Sequence, residues 1–333
     1  MRAFITGATG FVGANLARLL LERGYEVRAL ARPESNLNNL KGLGIELVEG
    51  DLCDPSLATL MQDCQVAFHV AAHYSLWQSD REQLYHSNVL GTRNILAAAR
   101  EAGIERTVYT SSVAAIGVPK DGRIADETYQ SPVEKLIGDY KKSKYWAERE
   151  AHEAVQNGQD VVIVNPSTPI GPWDLKPTPT GDIILRFLRR QMPVYLNTGL
   201  NLIHVKDVAE GHLLALDKGK TGDRYILGNE NVTLQQMLAM LSKLTGLPAP
   251  KSTIPAWIPL GVAWVDEKIL ARLGKKPSVP LDGVRMSQQM MFYDATKAQQ
   301  QLGLPQTSIA TALKESVDWF VNHHYATLKE SKD

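Results

Sequence analysis

Short β-branched and apolar runs alternate along the first half of the chain with longer stretches in which apolar positions recur every three or four residues. The short runs predict strands at Ala3 to Thr6, Glu26 to Leu30, Glu46 to Val48, Val66 to Val70, Thr107 to Ser111 and Val161 to Asn165. Between them, helices are predicted over Val12 to Glu22, Pro55 to Gln62, Arg81 to Glu101 and Asp139 to Val155. Strands joined by helical crossovers make an α/β fold, a doubly wound parallel sheet that binds its ligands beyond the carboxyl ends of the strands.

After Asn165 the rhythm breaks. Pro166, Pro169, Pro172, Pro177 and Pro179 exclude a regular helix or a central strand through that stretch and mark a domain boundary. Leu202 to Val205, a helix through Leu216, and Arg224 to Leu227 predict a return to the sheet. The expected division is therefore a nucleotide-binding domain of residues 1–165 plus about 202–228. A smaller, mostly helical C-terminal substrate domain takes residues 166–201 plus 229–333. No internal repeat or low-complexity tract suggests a further module.

With 333 residues, 44% of them hydrophobic and 22% charged, the chain can bury a full core, which excludes a fibre, a disordered tail or a disulfide-stapled miniprotein. Thirty-six basic side chains balance 36 acidic ones, so no global field draws it to nucleic acid or an anionic membrane. Two cysteines, Cys53 and Cys64, form neither a disulfide framework nor a zinc site, and no metal is expected. They fit a reduced, cytoplasmic setting, and the first residues lack the apolar core of a signal peptide. The longest uncharged stretch, Ser252 to Val265, holds two prolines and is shorter than the roughly 18 residues of a membrane span.

Candidate chemistry begins directly after the first strand, at Thr6-Gly7-Ala8-Thr9-Gly10-Phe11-Val12-Gly13. This is the spacing of a Rossmann dinucleotide turn: Gly7 makes the tight turn, Gly10 lets N–H groups approach a pyrophosphate, and Gly13 lets the helix pack closely on its strand. NAD-preferring turns carry an acid about 20 positions on, but Arg32 stands 19 residues after Gly13. A guanidinium suits a 2′-phosphate, so NADP is the expected cofactor, with Arg28 a second candidate for that phosphate. Glu34 keeps NAD open, and Arg32 also reads as a solvated surface arginine. Asp51, with Leu52 beside it, either receives the adenine amino group or caps the helix at Pro55. Val70, Ala71 and Ala72 are small enough to let a cofactor lie close.

Tyr140 and Lys144 share a helix face four residues apart. Tyr293 with Lys297 and Tyr325 with Lys329 repeat the spacing, but only the Tyr140 pair follows a strand ending in Thr110-Ser111-Ser112. The other two pairs are expected on solvated helix faces. As hydride reaches a carbonyl, Tyr140 can supply the proton, Lys144 a positive charge favouring the phenolate, and Ser112 a second donor, with Ser111 supporting or replacing it. A free phenol titrates near pH 10, so bringing it towards neutrality takes roughly 4 kcal/mol of differential stabilisation.

Glycine turn, strand-end serine and Tyr-Lys pair resemble the extended short-chain dehydrogenase/reductase superfamily, within the NAD-dependent epimerase/dehydratase group. Asn88, in Asn88-Val89-Leu90-Gly91-Thr92, matches a position that steadies the central helices in that superfamily. Four further segments resemble the bacterial hopanoid-associated sugar epimerase family, itself similar to dihydroflavonol 4-reductases. They are Phe68 to Ala72, Asn165 to Pro172, Lys176 to Gly181 and Asn197 to Leu202. The resemblance implies an NAD(P)-binding fold, a Ser112-Tyr140-Lys144 triad, a bacterial source and a homodimer through the helices near Arg81 to Glu101 and Asp139 to Val155. It also places Pro166 and Ser167 beside the cofactor.

The expected substrate pocket holds His73, Tyr74 and Trp77 after the fourth strand, Ser112 and Val113 after the fifth, and Asn165, Trp173, Thr178 and Thr180 after the sixth. His204 reads either as a pocket residue or as a core histidine. Two enzymes use these groups: an NADPH-dependent carbonyl reductase, and a sugar or nucleotide-sugar epimerase that returns the hydride to the opposite face. Arg32 favours the reductase. Arg186, Arg189 and Arg190 would serve a nucleotide diphosphate if they faced inward, but they read better as a solvated face. The third reading is a non-catalytic NADP-sensing protein, against which all three triad residues stand.

Overall fold

The computed structural model describes residues 1–255, 257–261, 263, 266 and 281–327. Seven parallel strands form the main sheet in the order β10-β6-β5-β4-β1-β2-β3. These are β1 (Arg2–Thr6), β2 (Glu26–Ala31), β3 (Ile45–Glu49), β4 (Val66–His69), β5 (Arg106–Thr110), β6 (Val161–Pro166) and β10 (Arg224–Leu227). The predicted strands are thus present, and Arg224–Leu227 closes one edge. The order reverses at β1 and β4, which is where a doubly wound sheet opens its ligand crevice.

Helices cover both faces. On one, α1 (Phe11–Glu22) and α8 (Val205–Lys218) pack over the sheet through Leu16, Leu20, Val208 and Leu213. On the other lie α4 (Gly91–Glu101) and α6 (Gly138–Gln156), with Ala147, Ala151 and Tyr109 between α6 and β5. The predicted helix from Arg81 to Glu101 is interrupted. Between α3 (Arg81–Tyr85) and α4 runs a π-helical turn, His86–Leu90, that carries Asn88 into the interior. The helix predicted at Pro55 to Gln62 contracts to α2 (Leu57–Leu60), because Asp54 and Ser56 spend their polar groups on a local turn.

Leu202 to Val205 does not return to the main sheet. It belongs to β9 (Gly199–His204), which pairs with β7 (Thr168–Ile170), β11 (Glu230–Thr233) and β13 (Met290–Met291) in a separate sheet. Its residues read as strand either way, and periodicity cannot say which partner a strand takes. That sheet packs with α7 (Pro179–Leu188), α9 (Leu234–Thr245) and helix Ile309–Asn322 around a second core of Ile184, Leu202, Leu238, Leu313 and Phe320. Pro179 opens α7 at its first turn, where its missing N–H costs nothing, so the proline-rich stretch ends in a helix.

The competing Tyr293 and Lys297 are not on a solvated helix face. Tyr293 is 3% exposed with its hydroxyl donating to Val113 O, and Lys297 donates to Arg224 O and pairs with Asp223. The partner of Tyr325 in the third pair, Lys329, lies outside the described residues, as do positions 256, 262, 264 and 265 of the uncharged stretch. Among the described residues, no helix is long and apolar enough to cross a membrane.

Candidate active site

The glycine turn is built by close approach. Gly7 has φ +74°, and a Cβ there would sit 2.6 Å from Ala71 N; one at Gly13 would sit 2.1 Å from Gly7 O. Helix α1 starts at Phe11 on Gly10, which offers no side-chain cap, so the first N–H groups keep no side-chain acceptor. Such a cradle, cleared of side chains and ringed by N–H donors at the positive end of a helix, fits a dinucleotide pyrophosphate. Thr9, Phe11 and Val12 are half-buried around it. Thr6 lies beneath: its buried hydroxyl meets His69 Nδ1 at 2.7 Å and accepts from Ala71 N. Ala72 is exposed, and Val70 and Ala71 are half-buried beside the turn.

Arg32 follows β2 with its side chain 54% exposed and pairs with Glu34 at 3.1 Å. Arg28 is not available as its helper. Its guanidinium is drawn inward to Leu60 O and Gln62 O and pairs with Glu46, because its strand position faces the chain turn after α2. Asp51 is exposed and accepts from Cys53 N, so it stabilises its own turn rather than capping a helix at Pro55. Leu52 packs against Gly91 at the start of α4. Pro166 is buried at the end of β6, and Ser167 follows with a buried hydroxyl that has no partner among the described residues.

Tyr140, Ser112 and Lys144 come together at the carboxyl end of β5. Ser112 caps α5 (Val113–Ile116), accepting from Ala114 N at 3.1 Å. Lys144, 2% exposed, donates to Thr110 O at 2.8 Å and reaches Tyr109 Oη at 3.2 Å. Burial pushes the Tyr140 phenol up to about 12, while its hydrogen bond with Ser112 pulls the other way. Burial lowers Lys144 to about 8, partly offset by Glu148. Desolvation of a phenolate outweighs the donors around it.

Around this group, Tyr74 stands edge-on to Tyr140 with ring centroids 4.6 Å apart, and His73 holds a buried Nε2 with no partner among the described residues. Asn88 clamps that loop to the helix: it accepts from His73 N, and its amide donates to His73 O and Ser143 Oγ. Trp77 is half-buried and leads into the short turn before α3.

The other pocket candidates make contacts within the fold. Val113 joins a small core with Ile116, Ile226 and Tyr293. Asn165 is fully buried under the site, donating to Ser112 O and to Glu148. Trp173 lies over the Arg18 guanidinium at 3.5 Å, its carbonyl accepting from Asn39, on the outer side of α1. Thr178 caps α7 and donates to Asp174, and Thr180 is buried in the first turn of that helix. His204 is 1% exposed; it caps α8 by accepting from Lys206 N and lies 3.3 Å from Glu315, as a core histidine does. Arg186 pairs with Asp182 in an exposed position, Arg189 holds Tyr325 O, and Arg190 is exposed.

One residue the sequence reading missed is Glu148. It receives the Ser111 hydroxyl, the Asn165 amide and the Arg224 guanidinium, all within 2.8 Å, and so ties three strand ends to α6. The signal was the continued spacing: Tyr140, Lys144 and Glu148 recur at every fourth position of one helix face. Ser111 is thereby committed to Glu148, leaving Ser112 as the serine facing Tyr140.

The model of the NAD dependent epimerase/dehydratase family matches residues 3–228. A Synechocystis protein with a provisional dihydroflavonol 4-reductase name is 71% identical over 97% of this chain and 95% of its own. Sterol demethylase protein B of Methylococcus capsulatus is 36% identical over 96% of this chain and 98% of its own. The crystal structure of gox2253 superposes with a TM-score of 0.87 at 44% identity, covering 98% of this chain and 99% of that one.

Proposed function

Because the chain belongs to the NAD-dependent epimerase/dehydratase family and is an NAD(P)-dependent enzyme of the short-chain dehydrogenase/reductase superfamily, we propose that it is an NADP(H)-dependent carbonyl reductase. The observation that carries this reading is the meeting of Tyr140, Ser112 and Lys144 at the end of β5, on the sheet that begins with the glycine turn. Gly7, Gly10 and Gly13 with the first N–H groups of α1 would hold the pyrophosphate, and Arg32 the 2′-phosphate. Asp51, Leu52, Val70 to Ala72, Pro166 and Ser167 would border the rest. A nicotinamide dinucleotide seated there supplies the hydride.

The chain's own groups then handle the proton. Burial keeps Tyr140 protonated at neutral pH, the form that donates to an oxygen gaining charge. Ser112 offers a second O–H donor to that oxygen. Lys144, held to the Thr110 carbonyl, supplies positive charge beside the phenolate once Tyr140 has given up its proton. His73 and Tyr74 border the substrate, and the second sheet with α7, α9 and helix Ile309–Asn322 forms the substrate-binding unit. The Arg32–Glu34 pair does not oppose the NADP assignment. An exposed pair is worth about 0–1 kcal/mol and readily exchanges for a phosphate.

Retention of hydride for epimerisation is the second reading, favoured by the family's name. The outward placement of Arg186, Arg189 and Arg190 removes a ready site for a nucleotide diphosphate and supports net reduction. The test is to follow NADPH against product over a panel of ketones, aldehydes and nucleotide sugars. Stoichiometric consumption by the wild type, cut by a factor of about 10² to 10⁴ in Tyr140→Phe with unchanged NADPH affinity, is expected. Inverted product without consumption would replace the reductase by the epimerase.

A further inference from the structure

Lys141 follows Tyr140 in α6 and is 5% exposed, yet it has no hydrogen bond or ion pair among the described residues. Its neighbour Lys144 is equally buried and has a carbonyl and a phenol hydroxyl. Desolvation lowers the Lys141 ammonium to about 8, with no carboxylate offsetting it. An unpaired buried charge is costly, and proteins normally supply it a partner.

The space beside it is suited to that partner. Lys141 lines a cavity of about 210 Å³ together with Gly117, Tyr129, Ser131, Lys135 and Gln289. Asp121 and Arg123, which also line it, pair with each other at 2.8 Å, so the charge left over is that of Lys120, Lys135 and Lys141. Ile137, which also lines it, precedes α6 without a side-chain cap, and the Asp282 carboxylate lies against Gly138 at the start of that helix. Gly117 ends α5, whose other end is Ser112, so little more than one helical turn of chain separates them. The cavity and the reaction centre thus share two elements, α5 and α6.

We propose that this cavity is an anion subsite, in which Lys141 holds a carboxylate or phosphate group of the substrate whose carbonyl meets Tyr140 and Ser112. The preferred substrates are then carbonyl compounds carrying an anionic oxygen group about one helical turn from the reacting carbon. The substrate assignment rests on the reductase reading; occupation of the subsite by an anion does not.

The test compares thermal unfolding of the full chain in sodium chloride, sodium benzoate and sodium phosphate at matched ionic strength, for wild type, Lys141→Met and Lys141→Arg. Wild type and Lys141→Arg should gain several degrees in benzoate or phosphate over chloride, and Lys141→Met should gain less than half as much. Equal gains in wild type and Lys141→Met would overturn the subsite, since they report only a general salt effect. Lys141→Gln repeats the comparison if the methionine variant does not fold. A gain confined to benzoate assigns a carboxylate, and one confined to phosphate a phosphate ester. In the second arm, keto acids are compared with their methyl esters, and wild type should favour the acid at least tenfold in kcat/KM, a ratio that falls towards one in Lys141→Met. If no carbonyl is turned over while the anion-specific gain stands, the reductase reading fails and the subsite survives. If carbonyls are reduced without that gain, the subsite alone is overturned.

Discussion

The glycine turn and the segment from Gly171 to Thr180 are bridged by Asn39, yet they are built on opposite principles. In the turn, backbone does the work: Gly7 and Gly13 leave no room for a side chain, and the N–H groups of α1 stay available to a ligand. In the later segment, side chains are consumed by the fold itself. Trp173 covers Arg18, Thr178 caps α7, and Asp174 takes the amide and hydroxyl of Thr178. A ligand site is recognisable where polar groups are left unspent, whatever their distance along the chain from a catalytic residue.

The sharpest way to break this contrast is Gly13→Ala. Its Cβ would lie 2.1 Å from the Gly7 carbonyl, so the turn must move, and an affinity loss of about 100-fold for NADPH by calorimetry is expected. Retained affinity would mean that the turn is not the pyrophosphate cradle.

The two regions should also answer acid with opposite signs. His69, which ties the strand under the turn, is held down to about 3 by burial and the nearby Lys144 charge. Its imidazole binds protons less readily folded than unfolded, so its contribution is complete above pH 6.5 and lost as pH falls. Between pH 7 and 5 that loss is about 2 kcal/mol. Asp174 is pushed up from 3.8 to about 6 by burial. Its contribution is complete below pH 3.8, lost as pH rises through 6, and grows by about 1 kcal/mol from pH 7 to 5. Urea midpoints at both pH values for wild type, His69→Gln and Asp174→Asn check the signs: the first variant should flatten the acid loss and the second should steepen it.

Arg32→Ala sharpens the cofactor side. NADPH affinity should fall about tenfold while NADH affinity stays within a factor of two, as expected for one charge-assisted fork. Equal losses would remove the 2′-phosphate assignment. The smallest effect belongs to Thr178→Ala, which should lower stability by about 1 kcal/mol through the lost cap and leave kcat unchanged. A fall in kcat would return Thr178 to the pocket.

These same residues explain what was legible in the sequence. Parallel strands and the glycine turn follow from local period and steric demand, so β1 to β6 and Gly7 to Gly13 were readable directly. Tyr140, Lys144 and Ser112 were readable because one helix face and one strand end confine them. The destinations of Trp173 and His204 depend on contacts across more than a hundred residues, Trp173 over Arg18 and His204 beside Glu315, and no local pattern encodes them, whereas the cap of Thr178 is local. The pairing of β9 outside the main sheet and the π-helical turn at Asn88 are likewise tertiary outcomes. The upward push on the Tyr140 phenol has the same origin, since depth of burial is not written in spacing.

Asn39 holds Thr9 O at 3.0 Å and Trp173 O at 3.3 Å with a single amide. One small side chain therefore rivets the glycine turn to the segment that leads into α7. A shift of either carbonyl would therefore strain the bond to the other, which couples the glycine turn to the approach to α7.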